Sequence, residues 1–366
     1  MKTITPLIAA LFILFFIGCK KSADNPVPPI VQPPVVTMYY PPLGSAEWQT
    51  TDPATLSWNT TQLTDLYTYL QIKNTKAFLI LKDGKIVAEK YFGTFTADSN
   101  HYWASAGKTM TAMLVGIAQQ EGLLNINNKT SQYLGLGWTS MPQAKEDLIT
   151  VRHQLTMTTG MDNTVPDDDC TLPSCLQYKA DAGMRWFYQN APYTLLDKVV
   201  ENASGKTYNA YFQEKIRNRI GMNGLWLRNG YNNVYYSSPR SMAKFGLLLL
   251  NKGKWNATTI LSDTNYFNTQ VNTSQNLNLS YGYLTWLNGK TTHMLPATSF
   301  VFNGMIAPNA PADMYAALGK NDQKIYVVPS QKLVVIRMGD AAGNSSLAVS
   351  SFDNELWGKL KMVIGY

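Results

Sequence analysis

The chain of 366 residues is 45% hydrophobic, 15% charged and 12% aromatic, a composition that excludes disorder or low complexity throughout. Its net charge of +7 comes from 31 basic and 24 acidic residues without any Lys/Arg block, which argues against a nucleic-acid surface. The length suits one large catalytic unit as well as two smaller domains.

The first element is a targeting segment. Lys2 precedes an unbroken apolar run from Leu7 to Ile17, too short to span a bilayer, and Phe16-Ile17-Gly18-Cys19 then has the form of a bacterial lipoprotein signal. Residues 1–18 are therefore expected to be removed and Cys19 to carry lipid, anchoring the protein in the cell envelope. Residues 19–45 read as an extended tether, because Pro26, Pro28, Pro29, Pro33, Pro34, Pro41 and Pro42 interrupt any helical period.

From residue 46 to 366 no repeat or second linker interrupts the chain. Ala77 to Leu81 and Lys85 to Tyr91 are β-rich runs around Asp83-Gly84, a strong hairpin signal. Thr109 to Gly122 places Met110, Met113, Leu114 and Ile117 at helical spacing, and the stretches from Pro192 and from Met242 to Leu250 behave similarly. Lys324 to Val328 and Leu333 to Met338 form a second hairpin across Pro329-Ser330-Gln331, followed by a helix from Phe352 to Val363. Sheet at both ends with helices between predicts an α+β fold, an antiparallel sheet flanked by helices, whose mainly helical region, about 105–280, is inserted into the sheet. Cys170 and Cys175, close together in a loop rich in Asp and Pro, suit a disulfide in an exported protein. The histidines at 101, 153 and 293 are too scattered for a zinc motif.

The sequence has no G-x-S-x-G elbow, H-E-x-x-H, phosphate loop or dinucleotide fingerprint. It does carry Ser105-Ala106-Gly107-Lys108 directly before an amphipathic helix. Residues three apart share a helix face, so a lysine kept partly neutral by burial can take the serine proton. Ser241-Met242-Ala243-Lys244 has the same spacing, but the preceding Pro239 suggests a capping or solvent-facing serine. Tyr188-Gln189-Asn190 offers a tyrosine for proton transfer and an amide for substrate binding, whereas Tyr231-Asn232-Asn233 repeats the pattern among polar loop residues.

Together these motifs resemble those of the penicillin-recognising serine hydrolases, which include class C β-lactamases, D-amino-acid peptidases, esterases and 6-aminohexanoate-dimer hydrolases. The resemblance spans roughly residues 70 to 360 and includes the block from Ile149 through Arg152-His153-Gln154 to Met161, Ala243 to Leu249, and Tyr281-Gly282-Tyr283. It implies a β-lactamase/transpeptidase-like fold, with Ser105 as nucleophile. Lys108 and Tyr188 would form one hydrogen-bonded proton-transfer unit, with Tyr188 as base for deacylation. Asn190 would bind substrate, His153 would be structural, and no cofactor would be required. The family's third motif normally begins with a cation. Here the best match is Ala317-Leu318-Gly319, with the Lys320 and Ser105 N–H groups forming an oxyanion hole and Gly319 admitting substrate; Lys320-Asn321-Asp322 is the alternative. The missing cation favours an esterase or amidase over a β-lactamase. A silent relative that binds peptides or peptidoglycan fragments is the competing reading, and the complete first two motifs speak against it.

Overall fold

Apolar runs near the two ends of the chain build one sheet. The computed structural model describes residues 37–345 and 347–366; the expected signal, Cys19 and most of the tether lie outside them. Six strands, β1 (Thr75–Lys82), β2 (Lys85–Tyr91), β3 (Trp286–Leu287), β4 (Tyr315–Gly319), β5 (Gln323–Val328) and β6 (Leu333–Gly339), form an antiparallel sheet in the order β2-β1-β6-β5-β4-β3. Every residue of β4, β5 and β6 is buried. That explains their near-continuous apolar sequence, since a sheet covered on both faces loses the polar alternation of a half-exposed one.

Helices α1 (Thr60–Ile72), α2 (Gly107–Gln120), α3 (Pro239–Leu250) and α4 (Ser351–Ile364) supply the covers. Alternate residues of β5 divide between the two faces. Ile325 faces α3, where a Cβ on Gly246 would sit 3.1 Å from its Cγ2 and 2.5 Å from Val334 Cγ1. Lys324 and Tyr326 face α4 and meet Asp353, at 2.9 Å and 2.6 Å. Tyr69 of α1 stacks on Phe352 of α4 at 6.1 Å, joining the two terminal helices.

The chain leaves the sheet after β2 and returns at β3, so the inserted region predicted from sequence is present. It is not purely helical. Leu225–Asn229 and Asn232–Ser237 pair as a hairpin, joined at its other edge by His101–Tyr102. These strands carry polar and half-exposed side chains without the long apolar run that marks the main sheet. The end of the expected tether is also docked, Tyr39 N–H donating to Asp83 O at 2.9 Å, and just past it Trp48 Nε1 donates to Gly84 O at 2.7 Å. Gly84 has φ +82°, and a Cβ there would lie 1.9 Å from Tyr39 O, so the hairpin turn has room for this segment only as glycine. No helix among the described residues is long and apolar enough to cross a membrane.

Candidate active site

A strained turn presents Ser105. Ala104 has φ +47°, a left-handed conformation that costs a non-glycine residue roughly 1–2 kcal/mol, and it initiates the 3-10 turn Ala104–Ala106 that leads into α2. Trp103, fully buried, holds the turn in place: its N–H donates to Tyr235 O at 2.8 Å and its indole Nε1 to Ser237 Oγ at 2.8 Å. The small sheet, which has no apolar run to mark it in the sequence, is therefore what anchors the Ser105 turn.

One helical turn on, Lys108 is 3% exposed, and residues Gly107 to Ala118 of α2 are all buried. Its Nζ donates to Ser105 Oγ at 2.9 Å and to Asn190 Oδ1 at 2.7 Å. It also lies 4.2 Å from the Tyr193 ring centroid and 5.0 Å from that of Tyr188. Burial depresses the Lys108 amine to about 7, against a smaller opposing pull from Asp169. A substantial neutral fraction near neutral pH, hydrogen-bonded to a serine hydroxyl, is the arrangement a general base requires.

Asn190 is more engaged than expected. Its Oδ1 accepts from Lys108, while its Nδ2 donates to Asp169 Oδ1 at 2.7 Å; Asp169 Oδ2 accepts from Asn232 Nδ2 at 2.8 Å. The amide thus orients Lys108 and has one N–H left for a substrate. Asn232, dismissed with the second Y-x-N triplet, belongs to the site, and Asp169 was missed altogether. A signal for Asp169 existed in its place beside Cys170, which is disulfide-bonded to Cys175 as expected.

Tyr188 stacks on Trp286 at 5.6 Å and meets Tyr281 edge-on at 6.2 Å. Its buried hydroxyl makes no direct hydrogen bond to Lys108; Ser105, to which Lys108 donates, lies beside it as the shared neighbour of both groups. Burial pushes the Tyr188 hydroxyl well above its ordinary range, with Ser105 exerting a weaker downward pull. It is therefore a proton donor in the resting protein.

The second S-x-x-K separates cleanly from the first. Ser241 is buried, and its hydroxyl donates to Asn223 Oδ1 at 2.7 Å, while Lys244 Nζ donates to Gly221 O at 2.6 Å. Ser238, not Ser241, caps that helix. The histidines serve the framework: His153 Nδ1 accepts from Thr150 N–H, and His101 and His293 contact the carbonyls of Gly339 and Gly304. Among the described residues, no group of three or more His, Cys, Asp or Glu could hold a metal ion.

Strand β4 ends against the nucleophile turn. A Cβ on Gly319 would fall 2.4 Å from Trp103 O, 2.9 Å from Ala106 N and 3.1 Å from Ser105 N, so only glycine permits this approach. Ala317, buried, stands two residues earlier on the same face. Lys320 and Asn321 line the cleft, whereas Asp322 is buried with Lys324 at 3.1 Å and accepts from Ser350 Oγ at 2.7 Å. This sets Gly319 beside Ser105, with Ala317 buried two residues earlier in the strand, and gives Asp322 a structural task. The cleft, about 560 Å³, is walled by Ser105, Lys108, Asp169, Asn190, Tyr193, Asn232 and Asn233 among others. A hollow of about 610 Å³ beside Gln119, Leu123 and Tyr133 lacks a nucleophile.

A family model described as beta-lactamase matches residues 74–350. An uncharacterized protein of Alkalihalophilus pseudofirmus is 21% identical over 302 residues, covering 72% of this chain and 83% of that protein. The chain also resembles the solved structure of a penicillin-binding protein homolog from Caulobacter crescentus, with a TM-score of 0.65, 11% identity, and coverage of 86% of this chain and 98% of that one. The octameric penicillin-binding protein homologue from Pyrococcus abyssi gives a TM-score of 0.60 at 16% identity, covering 84% of this chain and 77% of that one. These structural likenesses show the β-lactamase/transpeptidase-like fold.

Burying Lys108 has a stability consequence. A lysine lowered from 10.5 to about 7 penalises the folded state by on the order of 4–5 kcal/mol below pH 7, and the penalty fades as pH rises toward 10. Lys108→Met removes it but leaves Ser105 and Asn190 short of a donor, which returns about 1–3 kcal/mol. The variant is expected to be inactive yet more stable than wild type at pH 6, with the advantage shrinking by pH 10. Denaturant unfolding at the two pH values measures this, and a variant less stable at pH 6 would refute the account.

Proposed function

The chain belongs to the β-lactamase family of serine hydrolases, and from that premise we propose that it cleaves an ester or amide bond through an acyl-enzyme on Ser105. The observation that carries this reading is the 2.9 Å hydrogen bond from the buried Lys108 to Ser105 Oγ, with burial holding the Lys108 amine down to about 7. In acylation, Ser105 Oγ attacks the carbonyl carbon as its proton passes to Lys108 Nζ. The Ser105 and Lys320 N–H groups stabilise the developing oxyanion, a role supported by the close approach of Gly319 to Ser105 N. Tyr188, protonated at rest, gives its proton to the leaving amine or alkoxide and regains one from the Lys108 ammonium. Water then attacks the ester, its proton entering through the same Tyr188 and Lys108 groups, and Ser105 Oγ leaves with a proton. Tyr188 acts as a base only in passing, because burial disfavours a standing tyrosinate.

Removing the nucleophile tests the assignment. Ser105→Ala should abolish labelling by a serine-directed fluorophosphonate probe and lower ester turnover by many powers of ten, while Ser241→Ala retains labelling. Mass spectrometry that finds the adduct on Ser241, or any adduct in Ser105→Ala, would overturn it.

The substrate class follows from Ala317. A charge-assisted hydrogen bond to a substrate carboxylate is worth roughly 1.5–3 kcal/mol, or about tenfold to over a hundredfold in rate, and alanine cannot form one. The enzyme is expected to hydrolyse a nitrophenyl ester or an uncharged amide more efficiently than a cephalosporin, and Ala317→Lys to raise the cephalosporin relative to the ester. Efficient cephalosporin turnover by the wild type would reverse the preference while sparing Ser105.

The apolar run ending at Cys19 supports attachment to a bacterial membrane by a lipid on Cys19, with the Pro-rich segment holding the hydrolase off the surface. Expression of the full chain and of Cys19→Ser, followed by fractionation, tests it: the wild type should sediment with membranes and the variant should not. Equal distribution would remove the anchor from the reading.

A further inference from the structure

We propose that Asp169 is a positioning residue of this site: held between the amides of Asn190 and Asn232, it fixes the orientation of Asn190 toward Lys108 and stabilises the charge Lys108 acquires. The inference rests on the reading of Ser105 and Lys108 given above. An asparagine amide can present either end to a neighbour, and an ammonium, with donors and no acceptor, tolerates only the oxygen. Asp169 makes that choice. A carboxylate is acceptor-only, so Asn190 must turn Nδ2 toward Asp169, at 2.7 Å, and Oδ1 toward Lys108, also at 2.7 Å. Reversing the amide would set oxygen against carboxylate and N–H against amine. Asn232 Nδ2, from the start of the second hairpin strand, occupies the other carboxylate oxygen at 2.8 Å.

Asp169 is itself held by its loop: its N–H donates to Asp167 Oδ1 at 3.0 Å, and the next residue is tied to Cys175 by the disulfide. Among the described residues that line the cleft, it is the one acidic side chain. When the serine proton reaches Lys108, a full positive charge forms in a buried place, and the Asp169 carboxylate is what attracts it. The other titratable groups around Lys108 are Tyr188 and Tyr193, both held protonated by burial, with Tyr102, Tyr236 and Lys320 on the remaining cleft walls. Behind Tyr193, Asp197 pairs with Arg228. Asp168, next in the chain, is pushed up by its own burial and by Asp169.

The experiment is the pH profile of nitrophenyl-ester turnover. Activity requires neutral Lys108, so the rate rises with pH through the Lys108 titration. Asp169→Asn removes the attraction that favours the ammonium, and the acid limb should move down by about half to one pH unit. The plateau should also fall roughly tenfold, because an amide at 169 can offer its one oxygen to Asn190 or to Asn232 but not to both. A merely structural role would lower the rate at every pH and leave the limb in place. An unmoved or rising limb therefore overturns the inference. Asn232→Ala is the second variant: it keeps the charge but removes one of its donors, so the limb should move up, and a limb that stays or falls is equally fatal. Fluorophosphonate labelling of wild-type Ser105 separates the two levels of the argument. Failure to label would overturn the site reading and this inference with it, whereas labelling with unmoved limbs overturns the inference alone.

Discussion

The site depends on one unfavourable placement, a lysine amine taken out of water without a direct carboxylate partner. Lys108 lies on a helix buried along nearly its whole length, so its ammonium has few means of solvation: the Ser105 hydroxyl, the Asn190 carbonyl and two aromatic faces. The packing of α2 between the sheet and the inserted region pushes the amine toward its neutral form. The same packing brings Ser105 within reach of it. The burial of this amine costs stability, and the rest of the molecule tolerates the loss because the sheet, covered by helices on both faces, is so thoroughly buried.

A second constraint is backbone proximity. The last residue of β4 is close enough to the nucleophile turn that no side chain fits there, and the turn itself starts from a left-handed alanine. Buried ionic contacts lie just beyond this junction. Asp322, just beyond Lys320, is pushed up by burial but brought net lower by Lys324 and by donors from Ser350 and Ala342. Because such pairs stabilise only with their partners in place, they fix the path of the chain past the serine more than they add stability.

Membership of a family fixes the fold and the kind of nucleophile but not the substrate. A rim of Asn232, Asn233 and Asn321 with Tyr102 and Tyr236 lines the cleft around Ser105. Asn321 Nδ2 already donates to the Tyr102 hydroxyl at 2.8 Å, so this rim is partly pre-organised before substrate arrives.

The sequence by itself determined the elements with a period. Strands β1, β2, β5 and β6, helix α2 and helix α4 were legible because burial on a sheet or along a helix face repeats every two or about 3.6 residues. Ser105 and Lys108 were legible too, since three residues of helix bring them together whatever the tertiary fold. Sequence context already favoured Ser105 over Ser241, which has the same spacing to Lys244; tertiary structure supplied the partners Asn223 and Gly221 that make the second pair framework. It also decided the tasks of Asn190, Asp169 and Asn232, which lie far apart in sequence and meet only when the inserted region closes over α2. Polar residues in loops carry no periodic signature, and a hydrogen bond between them is specified by where the packed elements carry their ends. That information is distributed over the whole core.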